Sequence, residues 1–161
     1  MWLELPVVWI GLLNGLGIPL LQLGISWAFT RMPRHWFDPS SFPFSPWGAW
    51  ESAGMYERLF GVGKWKQLLP DGASWFGGFA KKRLRTRERG YLEVFRWETC
   101  RGEAAHWAQA VALSVFLVWT PMPWAWVIVA WAVGSNLPCI ILQRQNRRRI
   151  EGILARREGV A

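Results

Sequence analysis

The sequence predicts an all-α integral membrane protein. About three transmembrane helices are expected, with a cytoplasmic segment of loop and amphipathic helix between the first and second. Three observations carry this. Long apolar stretches are free of charge, the basic residues gather where those stretches end, and there are 14 Trp in 161 residues. Trp concentrates at membrane interfaces because its ring is apolar and its N–H polar. Charged residues make up 19% of the chain, below the roughly 25% of a soluble domain. A mean hydropathy of only +0.08 therefore averages very apolar segments with very basic ones. The whole chain, 1–161, reads as one membrane domain.

The first span is residues 5–29, uncharged and long enough to cross roughly 30 Å of hydrocarbon. Without a positive leader, and with so long an apolar run, it reads as an anchor rather than a cleaved signal. Gly11 and Gly15 permit close helix approach. Pro19 predicts a kink, and Asn14 and Gln22 require partners inside the protein. Residues 30–103 form the cytoplasmic segment. The Pro-, Phe- and Ser-rich stretch 33–46 is expected to lie extended along the membrane, 51–62 to form a short amphipathic helix, and 64–72 to be a turn. A second amphipathic helix is expected from about Gly90 into the second span, 104–119. A Thr-Pro-Met-Pro turn joins this to the third span, 124–142. A basic tail, 143–161, ends in a short surface helix. Positive charge lies after span one, before span two and after span three. The positive-inside bias then puts a multi-pass protein in the cell membrane, with its N-terminus outside and its central loop and C-terminus cytoplasmic.

The net charge is +8. With apolar spans present, this favours anionic lipid headgroups or a phosphorylated cosubstrate, and no motif supports nucleic acid. Arg144 and 147–149 read first as a stop signal and lipid anchor. Cys100 and Cys139 have no metal-site or disulfide spacing. The densest cluster of ionisable groups is Glu98, Arg101, Glu103 and His106. Helical spacing makes neighbours of Glu98 and Arg101, and of Glu103 and His106. Ionisable groups at a membrane boundary are costly unless paired or facing a cavity, so these four are catalytic candidates. His106 is the candidate general base, with Glu103 or Glu98 orienting it. A plain structural network is the equal alternative. Counting about fifteen residues, roughly 22 Å of helix, back across the outer turn sets Asn136 level with His106. Pro138 frees the carbonyl of Gly134 beside it. Glu103-x-x-His106 has the spacing of half a di-iron site, but the motif occurs once, so no metal is expected. Cys100 as an acyl-carrying nucleophile is the weaker option.

Three blocks of residues resemble the glycosyl-4,4'-diaponeurosporenoate acyltransferase family. They are Lys64-Trp65-Lys66 with Leu69-Pro70-Asp71-Gly72; Glu98-Thr99 with Arg101, Glu103 and His106-Trp107; and Asn136 and Pro138 with Gln143-Arg144, Asn146, Arg147 and Arg149. Pro33 and Phe37 echo the stretch after the first span. Residues 74–89 depart most from the pattern. The resemblance implies transfer of a fatty acyl group to a sugar hydroxyl of a glycosylated carotenoid or related glycolipid. It implies no bound cofactor, and an acyl-CoA or another acyl thioester as donor. Substrate-binding candidates are Asn136, Arg144, Asn146, Lys66 and Asp71. Two rival readings stay open: a non-catalytic scaffold subunit of a lipid or carotenoid pathway, and an intramembrane hydrolase using the same Glu and His.

Overall fold

In the computed structural model, which describes residues 2–69, 75–79 and 84–159, the described residues form helices, turns and loops with no strand. Helix α1 (Val7–Arg31) follows Pro6 and stops at Met32. Met32 precedes Pro33, and the proline ring drives it into extended backbone that cannot continue a helix. Helix α2 (Ala53–Phe60) opens on Ser52, whose hydroxyl accepts from the backbone N–H of Met55 at 3.1 Å. It closes at Gly61, where φ of +56° favours glycine. The short α3 (Val62–Trp65) follows at once. Helix α4 (Arg89–Ala112) then runs antiparallel to α1 and tightens into a 3-10 segment, Leu113–Val118. A turn through Pro121 and Pro123 leads to α5 (Trp124–Arg157).

The amides of Trp2 and Leu3 donate to the carbonyl of Val118 at 2.7 and 3.1 Å. The start of α1 and the α4–α5 turn therefore share one end of the molecule. The opposite end carries the arginines of α5 and everything between α1 and α4. Near the turn, Leu113, Phe116 and Ile128 form one apolar cluster. At the other end, Leu92 and Phe95 of α4 pack on Ile150 and Leu154 of α5. Between them, Phe37, Phe44 and Cys100 are packed by Phe29 and Met32. No residue of α1 is buried. Its Val7, Val8, Leu12, Leu16 and Leu20 are exposed, which suits a lipid-facing surface.

Asn14 and Gln22 find the partners the sequence requires. Asn14 donates to Thr120 Oγ1 at 3.0 Å and accepts from the Trp119 indole at 3.0 Å. Gln22 donates to Ser135 Oγ at 3.3 Å and accepts from the Trp131 indole at 3.2 Å. Gly11 and Gly15 have open space around them. The close approach is instead at Gly17, where an added Cβ would lie 2.9 Å from the Phe116 ring.

Several expectations are corrected. Among the described residues, only α1 and α5 are long and apolar enough to cross a membrane. The expected second span, 104–119, is not. Its stretch from Ala104 to Ala112 and on through the 3-10 segment rises only about 22–26 Å, and it carries His106 and Gln109 inside. The expected third span and separate tail helix are one helix, because Ile150 and Leu154 keep the apolar period past the arginines. Residues 33–46 do not lie extended. They fold inward so that Phe37 and Phe44 are buried and their loop carbonyls meet the arginines of α5.

Candidate active site

Three of the arginines of α5, Arg144, Arg147 and Arg148, face inward, which corrects their reading as a surface anchor. Arg144, Arg147 and Arg148 are buried, while Arg149 is exposed. Spacings of three and four put Arg144, Arg147, Arg148 and Glu151 on one helical face. That face meets Glu103 of α4 and Glu51, which precedes α2. Arg144 Nη1 donates to Glu103 Oε1 at 2.8 Å, and Arg147 Nη2 donates to Glu103 Oε2. Arg144 Nη2 donates to Glu51 Oε2 at 2.9 Å, while its Nε reaches both Glu51 Oε1 and the Tyr56 hydroxyl at 3.0 Å. Tyr56 donates to Glu51 Oε1 at 2.8 Å. The loop carbonyls of Pro43 and Ser45 accept from Arg144, and that of Phe44 accepts from Arg147 and Arg148. Trp47 stacks on the Arg144 guanidinium at 3.9 Å.

Burial pushes the Glu51 carboxyl up, but the hydrogen bonds from Arg144, the Trp47 amide and Tyr56 outweigh it and hold it at about 2. Burial beside that carboxylate raises the Tyr56 phenol to about 12. Every nitrogen of the Arg144 guanidinium is therefore engaged within the protein. The placement of Arg144 on substrate is corrected accordingly: its donors turn to Glu51, Glu103 and the loop. Glu103 is likewise fully buried, with both oxygens on arginines, so its carboxylate is directed to α5 rather than to His106.

At the imidazole, Asn136 makes a close contact from α5. His106 Nδ1 lies 3.0 Å from Asn136 Oδ1. Asn136 Nδ2 donates to the carbonyl of Ala132 at 2.9 Å and to Ser135 Oγ at 3.2 Å. Those two acceptors fix the amide with its oxygen toward the ring, so Nδ1 carries the hydrogen and donates. A neutral His106 is then basic at Nε2.

His106 lines a cavity of about 600 Å³ between α1, α4 and α5. Pro19, Leu23 and Trp131 line its apolar reach. Lys66, Arg101, Gln143 and Asn146 give it a polar end. Along α5, Trp131 to Asn146 spans about 22 Å, with Asn136 between. Gln109, which the sequence did not single out, lines the same wall and ties α4 to α1 through Ser26 Oγ at 2.8 Å and the carbonyl of Gln22 at 3.0 Å. Arg101 donates to Glu98 Oε2 at 2.7 Å, and its Nη1 caps the end of α1 at the carbonyls of Thr30 and Met32, 3.3 Å each. Glu98 is buried and also lies 3.6 Å from Arg34 Nε. Asp71 lies outside the described residues.

Glu51, Tyr56 and Arg148 are further residues that the motif reading passed over. The signal for them was present in the period of Arg144, Arg148 and Glu151, an inward-facing charged stripe that demands a buried acid elsewhere. Cys100 is buried in the apolar cluster, and burial pushes its thiol up to about 11. It is a packing residue, not a thiolate. No group of His, Cys, Asp and Glu suited to a metal ion occurs among the described residues.

A family model described as glycosyl-4,4'-diaponeurosporenoate acyltransferase matches residues 33–156. The chain is 28% identical over 147 residues to the protein of that name from Staphylococcus haemolyticus (strain JCSC1435), covering 90% of this chain and 85% of that one. It is 27% identical over 136 residues to the protein of that name from Staphylococcus aureus (strain USA300), covering 84% and 82%. No solved structure matches. The family match takes in His106, Asn136 and the arginine network alike. The chain belongs to the glycosyl-4,4'-diaponeurosporenoate acyltransferase family, and is an acyltransferase.

Proposed function

We propose that this acyltransferase moves a fatty acyl group from an activated donor, an acyl-CoA or another acyl thioester, to a sugar hydroxyl of a glycosylated carotenoid. His106 is the general base. Its Nε2 takes the hydroxyl proton as the sugar oxygen attacks the acyl carbonyl, the thiolate departs, and the base returns the proton. Lys66, at the polar end of the same cavity, supplies positive charge toward the developing oxyanion. The observation that carries this reading is the imidazole held by Asn136 within a cavity that is apolar along one reach and polar at the other. Two amphiphilic substrates need that division: their chains lie in the apolar part and their heads meet at His106.

The same reading places the protein in the cell membrane as a multi-pass chain. The arginine end faces the cytoplasm and the N-terminus faces outside. Anionic headgroups surround the exposed cations of the cytoplasmic end. Two further features support a base role for His106 over a thiol intermediate: Cys100 is sealed in the apolar cluster, and its proton is held tightly.

The test is to incubate membranes containing the protein with acyl donor, with and without the carotenoid glycoside. Ester formation that requires the glycoside, with little donor consumed in its absence, is the expected result. Donor cleavage at the same rate with or without glycoside would make the enzyme a hydrolase and reject the reading.

A further inference from the structure

Among the described residues, Arg96, Gln143 and Arg147 each leave one buried side-chain polar atom without a hydrogen-bond partner, and of these Gln143 alone lines the cavity. Its unpartnered atom is Oε1. An unmet buried acceptor is destabilising, a cost that an apolar residue of the same shape would avoid. Asn146, three residues on and on the same face of α5, also lines the cavity and makes no side-chain hydrogen bond among the described residues. Lys66 faces the same end without an ion pair among the described residues. By contrast, Asn14, Gln22, Gln109 and Asn136 each bond to another segment of the chain.

Two amides left untied side by side at the polar end of a cavity call for a ligand that both donates and accepts. A phosphate accepts only, so it would leave Gln143 Oε1 unmet. Adjacent hydroxyls do both. Along α5, Cys139 separates this pair from Asn136, so Gln143 lies about 10 Å from the level of His106. A sugar held there by its distal hydroxyls would direct a nearer one at the imidazole.

We propose that Gln143 and Asn146 form the sugar-binding shelf of the acceptor site, with Gln143 selecting for a hydroxyl-bearing ring. This rests on the glycosyl-acceptor reading above and adds the residues that read the sugar. Gln143 is a positioning and specificity residue, and its amide swings about its last side-chain bond to meet the hydroxyls.

The test compares the carotenoid glycoside with its monodeoxy-sugar analogues, using the full chain in membranes. The wild type is expected to prefer the parent over one analogue by roughly 10-fold or more in kcat/KM. Gln143→Met should abolish that preference, mainly through KM for the parent, and leave the rate on the deoxy analogue nearly unchanged. Gln143→Glu, which keeps an oxygen in place, should retain the preference. A Gln143→Met enzyme that keeps the wild-type preference, or that slows equally on every acceptor, overturns the shelf while leaving acyl transfer to glycosides intact. No transfer to any glycoside by the wild type overturns the acceptor reading itself.

Discussion

At His106, one hydrogen bond decides which ring nitrogen can act as a base. Asn136 cannot turn its amide over without losing both Ala132 and Ser135 as acceptors, so the proton stays on Nδ1. Removing that constraint takes away the contact that selects the tautomer. Asn136→Ala should therefore lower kcat by about 10–100-fold, as for other partners that orient an imidazole, with KM for the donor little changed. A steady-state assay at matched protein level checks this, and a pure KM effect would count against an orienting role. Cys100 gives the opposite expectation. Cys100→Ala should retain most of the transfer rate and cost only the stability of a small core deletion, on the order of 1 kcal/mol. Loss of turnover in a folded Cys100→Ala protein would reopen thiol chemistry.

At the scale of elements, α5 does two jobs. Its first half lines the cavity through Trp131, Gly134 and Ser135, and its second half is riveted to α4 and the loop by arginines. Glu103 is the rivet common to Arg144 and Arg147. Replacing one partner of a buried ion pair strands the other charges and costs roughly 3–5 kcal/mol. Glu103→Leu should accordingly lose folded protein in the membrane, seen as a large drop in thermal stability of the detergent-extracted enzyme. Normal stability with a selective loss of rate would instead return Glu103 to the chemistry. Glu51 makes the same network sensitive to acid. Its carboxyl titrates at about 2 in the fold, against an ordinary 4.5. Because the folded value is the lower one, its stabilisation is complete above pH 4.5 and is lost as pH falls toward 2. Thermal stability should fall across that window, and Glu51→Gln should flatten the fall.

Much of this arrangement was legible before any coordinates. The level of His106 and Asn136 followed from counting helix rise on either side of a short turn, since helices joined by a tight turn must run antiparallel. The need of Asn14 and Gln22 for internal partners followed from the lack of water in hydrocarbon. What failed was the reading of arginines by charge alone. Arg144, Arg147 and Arg148 were placed on the surface because local sequence does not reveal a carboxylate ninety residues away. Glu51 and the carbonyls of 43–45 are tertiary partners, supplied by a loop whose Pro and Phe content looked like a membrane-hugging strap. The Glu103–His106 pair was permitted by helical spacing, but two guanidinium partners outcompete one imidazole for a carboxylate.

At the scale of the whole molecule, three helices enclose a cavity with an apolar reach and a polar end. A network of arginines and carboxylates holds the polar end rigid without occupying it. α1 contributes one wall while presenting an apolar outer face, so the cavity opens beside a surface fit for lipid. On the proposed mechanism the arginine network belongs to structure and His106 to the reaction, and the two are distinguishable by experiment. The most direct measurement is mass-spectrometric quantification of acylated carotenoid glycoside formed by His106→Ala membranes, against wild type at equal protein level and equal thermal stability. The account predicts a fall of about 100-fold or more, within the range for loss of a general base. Turnover at the wild-type rate would contradict it.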